Sequence, residues 1–230
     1  MAFPQVIDAF VTSFNSDATS HQFNLPGSGI NAGDLLVAIW AFDATTTVTV
    51  PGGWTEIRAP NGVNINCGAC ALIASGSEDG STIDVVTDNA QQGQVLFLQI
   101  RDIFDTGSIA NSIVSSSPGT AVGSSSPNPS SFTPGFGAVD VLWFTIICCD
   151  DTAETVTSPP SNYDNLVGGG ATGGTASAEV FAARREFNAA SVNPPAWSTS
   201  VGNWSMFMLA VRGTAAAPAT PKGLMLLGAG

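Results

Sequence analysis

The second half of the chain repeats, in the same order, short apolar segments that occur in the first half. The matching pairs are Asp34-Leu35-Leu36-Val37 with Asp140-Val141-Leu142-Trp143, Thr47-Val48-Thr49 with Thr155-Val156-Thr157, Pro51 with Pro159, Trp54 with Tyr163, and the run 95–101 with the run 206–212. The offset grows from 106 residues (Asp34 to Asp140) to 111 residues (Arg101 to Arg212), as short loop insertions would require. Ordered agreement over several segments predicts an internal duplication of about 110 residues.

The repeated segments have the character of β-strands. They are short, rich in Val, Ile, Thr and Phe, and separated by turn clusters such as Pro51-Gly52-Gly53. Predicted strands cover 6–13, 21–25, 34–42, 46–50, 55–58, 69–75, 82–87 and 94–101, and then 112–117, 140–149, 155–157, 163–167, 179–187 and 204–212. We therefore predict an all-β, jelly-roll-like β-sandwich with an internal pseudo-twofold duplication.

The duplicated region is predicted to span residues 1–213, with repeats of about 1–103 and 104–213. Two tandem sandwiches or one sandwich with interleaved halves would fit, and the apolar hinge residues Ile103 and Phe104 favour the single interleaved form. The stretches 115–134 and 168–174 are expected to be surface loops. Residues 214–230 form an Ala/Pro-rich tail with an apolar end.

The charge balance limits the partners that the chain can have. It has 18 acidic residues against 6 basic ones, a formal net charge of −12, and its arginines are scattered along the sequence. No basic stripe is available to neutralise phosphates, so nucleic acid and anionic membrane are excluded as expected partners. The N-terminus lacks a basic segment followed by a long apolar one, so we expect synthesis and assembly in a cytoplasm.

The four cysteines occur as the C-x-x-C pair Cys67 and Cys70 and the adjacent pair Cys148 and Cys149. Four thiolates could bind zinc. In a strand, however, both spacings place the two members of a pair on opposite faces, which is wrong for a shared metal. The sequence therefore favours buried free thiols over a metal site.

No constellation of residues predicts catalysis or a cofactor. The one histidine, His21, alternates with Phe23 and Leu25, which is typical of a sheet residue rather than a general base. Glu179 and Glu186 are expected on opposite strand faces, and Glu186 beside Arg184-Arg185 predicts ordinary surface ion pairing. We expect a protein that is not an enzyme and holds neither metal nor cofactor.

Candidate partner contacts are three aromatic residues near loops and four apolar residues of the tail. Trp54, Trp197 and Tyr163 would either close the ends of the sandwich or present an exposed ring to sugar or protein. In the tail, Leu224, Met225, Leu226 and Leu227 would either be frayed and inert or dock on a neighbouring subunit.

A resemblance is carried by the frame Gly33-Asp34-Leu35-Leu36-Val37, then Pro51-Gly52-Gly53-Trp54, Ala71-Leu72-Ile73-Ala74 and Leu98-Gln99-Ile100-Arg101, repeated with variations up to Leu209-Ala210-Val211-Arg212-Gly213. This frame is similar to duplicated β-sandwich modules of bacteriophage virion proteins and of some bacterial surface proteins. The resemblance implies no catalytic residue.

What the resemblance implies is a structural protein located in the virion. Its expected role is that of a capsid decoration (cement) protein that contacts the major capsid protein or other virion proteins, as a homo-oligomeric dimer or trimer. The alternative is a tail or head fibre module that binds a host receptor or a carbohydrate.

Overall fold

The strands of the first half form one antiparallel sheet. In a computed structural model of the chain, residues 2–61, 65–149, 154–168 and 178–214 are described. The strands of this half are β1 (Gln5–Asn24), β2 (Leu35–Asp43), β3 (Val48–Thr49), β4 (Thr55–Asn61), β5 (Ile65–Ile73) and β6 (Thr82–Arg101). Within these ranges the strand order is β1-β6-β2-β5-β4, and β3 also pairs with β6.

The strands of the second half form a second antiparallel sheet, in which the counterparts of the first-half strands follow one another in the same order. They are β7 (Ile113–Ser115), β8 (Gly119–Ser124), β9 (Val139–Cys149), β10 (Val156–Ser158), β11 (Asp164–Gly168), β12 (Glu179–Ala189), β13 (Ser198–Thr199) and β14 (Gly202–Arg212), preceded by the short helix α1 (Ile109–Ser112). The order of the main sheet is β7-β14-β9-β12-β11, with β8 also on β14, while β10 and β13 pair with each other.

The two sheets stack face to face, which confirms the predicted all-β sandwich. Their inner faces share one apolar cluster that joins Leu35, Val37 and Leu98 of the first sheet to Leu142 and Leu209 of the second. At one side of the stack β1 lies against β11, and at the other β4 lies against β7. Arg58 and Ser115 each donate a hydrogen bond across the β4–β7 side, to Ser116 and Ile57 carbonyls.

The halves are stacked rather than interleaved. All of the described strands up to Arg101 lie in the first main sheet, and those from Ile113 to Arg212 are excluded from it. The predicted interleaving, and with it the exchange of strands that a jelly-roll-like arrangement implies, is absent from the described strands. The hinge explains this: the Phe104 N–H binds the Arg212 carbonyl and Ile103 pairs with Gly213, so the chain enters the second sheet immediately after leaving the first.

Both outer faces are also covered, so the molecule has three apolar layers. Beyond the first sheet, Phe23 and Val85 from the far end of the β1–β6 strand pair lie in one apolar cluster with Trp40. Beyond the second, Phe132 and Trp197 pack on Trp143. The central strands β2 and β9 are therefore buried on both faces, which accounts for their continuous rather than alternating apolar sequences.

Two pairs of predicted strands merge into single long strands. Segments 6–13 and 21–25 are parts of β1, and segments 82–87 and 94–101 are parts of β6. The polar residues between them, around Phe14 to Ser20, carry shifts in register against β6 instead of ending the strand. Such bulges bend a strand. The bend allows the β1–β6 pair to fold back over the outer face of its own sheet.

Another correction concerns the stretch 115–134, which was expected to be a surface loop. Part of it is strand β8, whose Ala121 pairs with Trp204 of β14. Further along, Phe132 exchanges two backbone hydrogen bonds with Val192. This stretch therefore supplies the cover of the second sheet.

Candidate functional site

Trp54 and Tyr163 end two turns of the same form. The Trp54 N–H donates to the Pro51 carbonyl and the Tyr163 N–H donates to the Pro160 carbonyl, each at 3.1 Å. The proline equivalent to Pro51 is thus Pro160, rather than Pro159 as the sequence alignment predicted. Each turn delivers its aromatic side chain to an outer apolar cluster, where Trp54 is 7% and Tyr163 6% exposed.

Trp197, the third predicted aromatic contact, is 1% exposed. Its indole Nε1 donates to the Thr145 Oγ1 at 3.0 Å, and its backbone N–H donates to the Pro127 carbonyl. Of the two roles that the sequence left open for these three aromatics, burial matches the closing of the sandwich. No exposed ring face is available at Trp54, Tyr163 or Trp197 to stack on a sugar.

The four tail residues proposed as contacts, Leu224, Met225, Leu226 and Leu227, lie outside the described residues. The same holds for most of the glycine-rich stretch 168–174, of which only Gly168 at the end of β11 is described.

The cysteines differ from the sequence prediction in one respect. The members of each sequence pair do face opposite ways, since Cys67 and Cys148 lie in the inner cluster while Cys70 and Cys149 lie in the outer ones. Cys67 and Cys148, however, are joined by a disulfide with a Cα–Cα distance of 6.5 Å. The prediction of free thiols is therefore wrong for these two, because the stacking of β5 on β9 brings together cysteines that are 81 residues apart.

His21 is a core residue. Its side chain is fully buried, with Nδ1 3.2 Å from the Val85 carbonyl oxygen and Nε2 3.1 Å from the Gln91 carbonyl oxygen. The Phe42 ring packs on the imidazole with centroids 4.2 Å apart. A base in such a position has no path to a substrate, which agrees with the interpretation of His21 as a sheet residue.

A polar cleft lies at the β11 edge of the second sheet. It has a volume of about 330 Å³ and is lined by Asn162, Asp164, Arg184, Arg185 and Glu186. The register of β11 on β12 places the backbone of Asp164 directly opposite that of Arg184. The Arg185 guanidinium is stacked over the Phe187 ring, with Cζ 4.0 Å from the ring centroid.

The charged groups of this cleft are not paired with one another. In the described part of the chain the only ion pair joins Arg101 to Asp34, and no hydrogen bond engages the side chains of Asp164, Arg184 or Glu186. The predicted surface ion pairing of Glu186 with its neighbouring arginines is therefore wrong. Sequence reasoning missed the cleft because it considered Glu186 only with its neighbours on one strand, whereas Asp164 arrives from another.

The Asp34–Arg101 pair holds the start of β2 against the end of β6. The Asp34 carboxylate is 2% exposed and accepts from Arg101 Nε and Nη2, Gln99 Nε2 and the Asn31 N–H, at 2.7–2.9 Å. Burial by itself would raise the pKa of Asp34, but these hydrogen bonds, led by Arg101, outweigh it and lower the pKa below its ordinary value. This group is structural, since every acceptor position faces the protein.

Glu179 is a second buried acid, at the start of β12. Its side chain is 2% exposed, and its Oε2 has no hydrogen-bond partner among the described residues. Burial raises the pKa of Glu179 to about 7. Ionising Glu179 would lower the free energy of unfolding, because it would leave a buried charge.

The fold defines an antiparallel β-sandwich, and the comparisons with known proteins add little to that. No protein-family model matches the chain. No curated protein matches it. Among solved structures it is similar to one described as "Crystal structure of PBSX exported protein XepA", with 14% identity over 90% of this chain and 86% of that chain, and a TM-score of 0.24. A likeness of that degree carries no argument about fold or function.

The described residues contain no helix that is long and apolar enough to cross a membrane. No group of three or more His, Cys, Asp or Glu side chains in the described ranges is placed to hold a metal ion.

Proposed function

We propose that this protein is a structural component of a bacteriophage virion, a decoration protein that binds the assembled head and stabilises it. The observation that carries the proposal is the repeated sequence frame, which is similar to the modules of virion proteins. The identical strand order of the two sheets supports a duplication behind that frame. Stabilisation would follow from mass action, because a protein that binds only the assembled lattice shifts the equilibrium towards assembly.

The body of the protein suits a rigid spacer on a shell. Three apolar layers and a disulfide between the sheets hold the two halves together. The net charge of −12 favours solubility at high local concentration. Both features support a role in which the protein is packed densely on a surface.

Contact with the capsid is assigned in this proposal to the tail. Exposed large apolar side chains of the described body are spread over four strands and a loop: Ile7, Val86, Val122, Phe187 and Val201. Five such side chains are ordinary for a protein surface. The tail offers a denser apolar group, Leu224, Met225, Leu226 and Leu227, after an Ala/Pro-rich tether.

The test is the stability of purified heads that lack the protein, measured with and without its addition. We expect added protein to bind and to raise the temperature at which the heads release their contents. Replacement of all four tail residues by serine should abolish binding, while replacement of the three tether residues Ala215, Ala216 and Ala217 by serine should leave it intact. Failure of the unaltered protein to bind heads would overturn the proposal.

The alternative role is a fibre module that binds a receptor or sugar through exposed rings at Trp54, Trp197 and Tyr163 and through the glycine-rich stretch 168–174. All three rings are buried, so they no longer support it, and most of that stretch lies outside the described residues. The decoration role does not require any of them to be exposed.

A further inference from the structure

We propose that the polar cleft between β11 and β12 binds a neutral carbohydrate, a mono- or disaccharide unit. This goes beyond capsid stabilisation, because it gives the protein a ligand of its own. The cleft is separate from the predicted aromatic contacts, and all of its named residues are described: Asn162, Asp164, Arg184, Arg185 and Glu186.

The chemistry of the lining selects the ligand class. Guanidinium groups only donate hydrogen bonds, ionised carboxylates only accept them, and an amide does both. A ligand that uses the whole lining must donate and accept at neighbouring positions, as the vicinal hydroxyls of a sugar do. An anion would meet the carboxylates of Asp164 and Glu186, and a cation would meet Arg184 and Arg185.

The hydrogen-bonding capacity of these groups is available to a ligand. The side chains of Asp164, Arg184 and Glu186 make no ion pair or hydrogen bond within the described ranges, although they line one cleft. Of the 6 basic residues of the chain, Arg184 and Arg185 both line this cleft. Bound sugar hydroxyls would replace the water that these groups otherwise bind.

Several of the groups are already held in position. The register of β11 on β12 fixes the backbone positions of Asp164 and Arg184, and stacking on Phe187 holds the Arg185 side chain. Asn162 lies in the left-handed position of its turn, with φ of +66°. Groups that are ordered before binding lose less entropy when the ligand arrives.

The size of the site agrees with this class. A volume of about 330 Å³ is at the lower end of the range for small-molecule sites and suits one or two sugar rings.

The test is saturation-transfer NMR on the purified full chain. The probes are glucose, galactose, mannose, rhamnose, N-acetylglucosamine and their disaccharides, with glucuronate and glucosamine as charged comparators. We expect at least one neutral sugar to bind and the charged comparators to bind more weakly. Arg184→Gln or Glu186→Gln should each weaken that binding by about tenfold, because each removes a charged hydrogen-bonding group.

Matched controls are Glu56→Gln and Arg58→Gln, which remove one charge of each sign from β4. Glu56 lies on β4, at the opposite side of the sandwich from β11. A thermal melt of each variant checks that the fold is retained. The proposal is overturned if no neutral sugar binds, if a charged comparator binds best, or if the controls weaken binding as much as the cleft variants. Since capsid binding is measured separately, either result leaves the decoration role to its own test.

Discussion

Gly53 and Asn162 occupy the same position in two equivalent turns, one in each half of the chain. Both have a left-handed backbone, with φ of +83° and +66°, and each immediately precedes a buried aromatic residue whose N–H closes the turn. Glycine adopts this conformation without cost, and asparagine tolerates it better than most residues do. The aromatic anchors Trp54 and Tyr163 thus depend on the residue before them.

The turn of the first half can be tested by replacing each of its two glycines with alanine. A Cβ at either Gly52 or Gly53 would meet no atom within 4 Å, and only Gly53 has a positive φ. Gly53→Ala should therefore lower the free energy of unfolding by about 1 kcal/mol through backbone strain alone. Gly52→Ala should leave it nearly unchanged. Urea denaturation measures both, and equal losses would show that the left-handed turn is not what matters.

The buried Asp34 carboxylate should stabilise the protein in a pH-dependent way. Since the pKa of Asp34 is lowered on folding, its contribution is present above its unfolded value of about 4 and is lost as the pH falls through the folded value. Asp34→Asn should cost about 2 kcal/mol at pH 7 and less at pH 3, as measured by urea denaturation. Asp17→Asn, at an exposed site, is the control. A cost that does not shrink in acid would contradict the assigned pKa direction.

The contribution of Glu179 to stability should depend on pH in the opposite direction from that of Asp34. Burial raises its pKa to about 7, so its contribution is fully present below its unfolded value of about 4.5 and is lost as the pH rises through 7. Glu179→Gln keeps the shape and removes the ionisation. We expect little change in stability at pH 5 and a gain of about 1–2 kcal/mol at pH 8.5. Glu186→Gln, exposed on the same strand, should produce no such gain. A loss of stability at pH 8.5 would mean that the ionised Glu179 has a favourable partner.

The disulfide can be tested against a cysteine of the same strand. Cys67 and Cys70 are both buried in β5, but only Cys67 is bonded to Cys148. Reduction should destabilise the unaltered protein and Cys70→Ala by about 2–4 kcal/mol, because the bond links residues 81 apart. Cys67→Ala should be insensitive to reductant. Alkylation of all four cysteines of the denatured protein without reductant would exclude the bond.

The sequence predicted the positions of the strands better than it predicted which of their side chains face the inner cluster. The repeat alignment pairs Leu35 with Val141, but the residues that face the inner cluster are Leu35 and Leu142. A shift of one residue reverses every side chain of a strand. Both faces of β2 and β9 are buried. A continuous apolar run therefore does not indicate which of their residues face the inner cluster. For β6 and β14 the alignment of Leu98 with Leu209 is correct, and both point inwards.

The site was harder to predict for a related reason. The equivalence of Trp54 and Tyr163 followed from the repeat, but their burial depends on the outer layers, which are built by distant segments such as the one around Phe132. The cleft depends on β11 pairing with β12, and the disulfide on β5 stacking over β9. Contacts between segments far apart in sequence leave no local signal, so only the three-dimensional structure brings them together.

The central claim, that this is a decoration protein of a phage head, is tested most directly by counting and locating its copies. The measurement is quantitative mass spectrometry of purified particles, combined with electron microscopy of particles labelled with an antibody to the protein. The account predicts on the order of hundreds of copies distributed over the head, because a symmetric shell repeats each binding site many times. A few copies confined to the tail, or none on the particle, would contradict it.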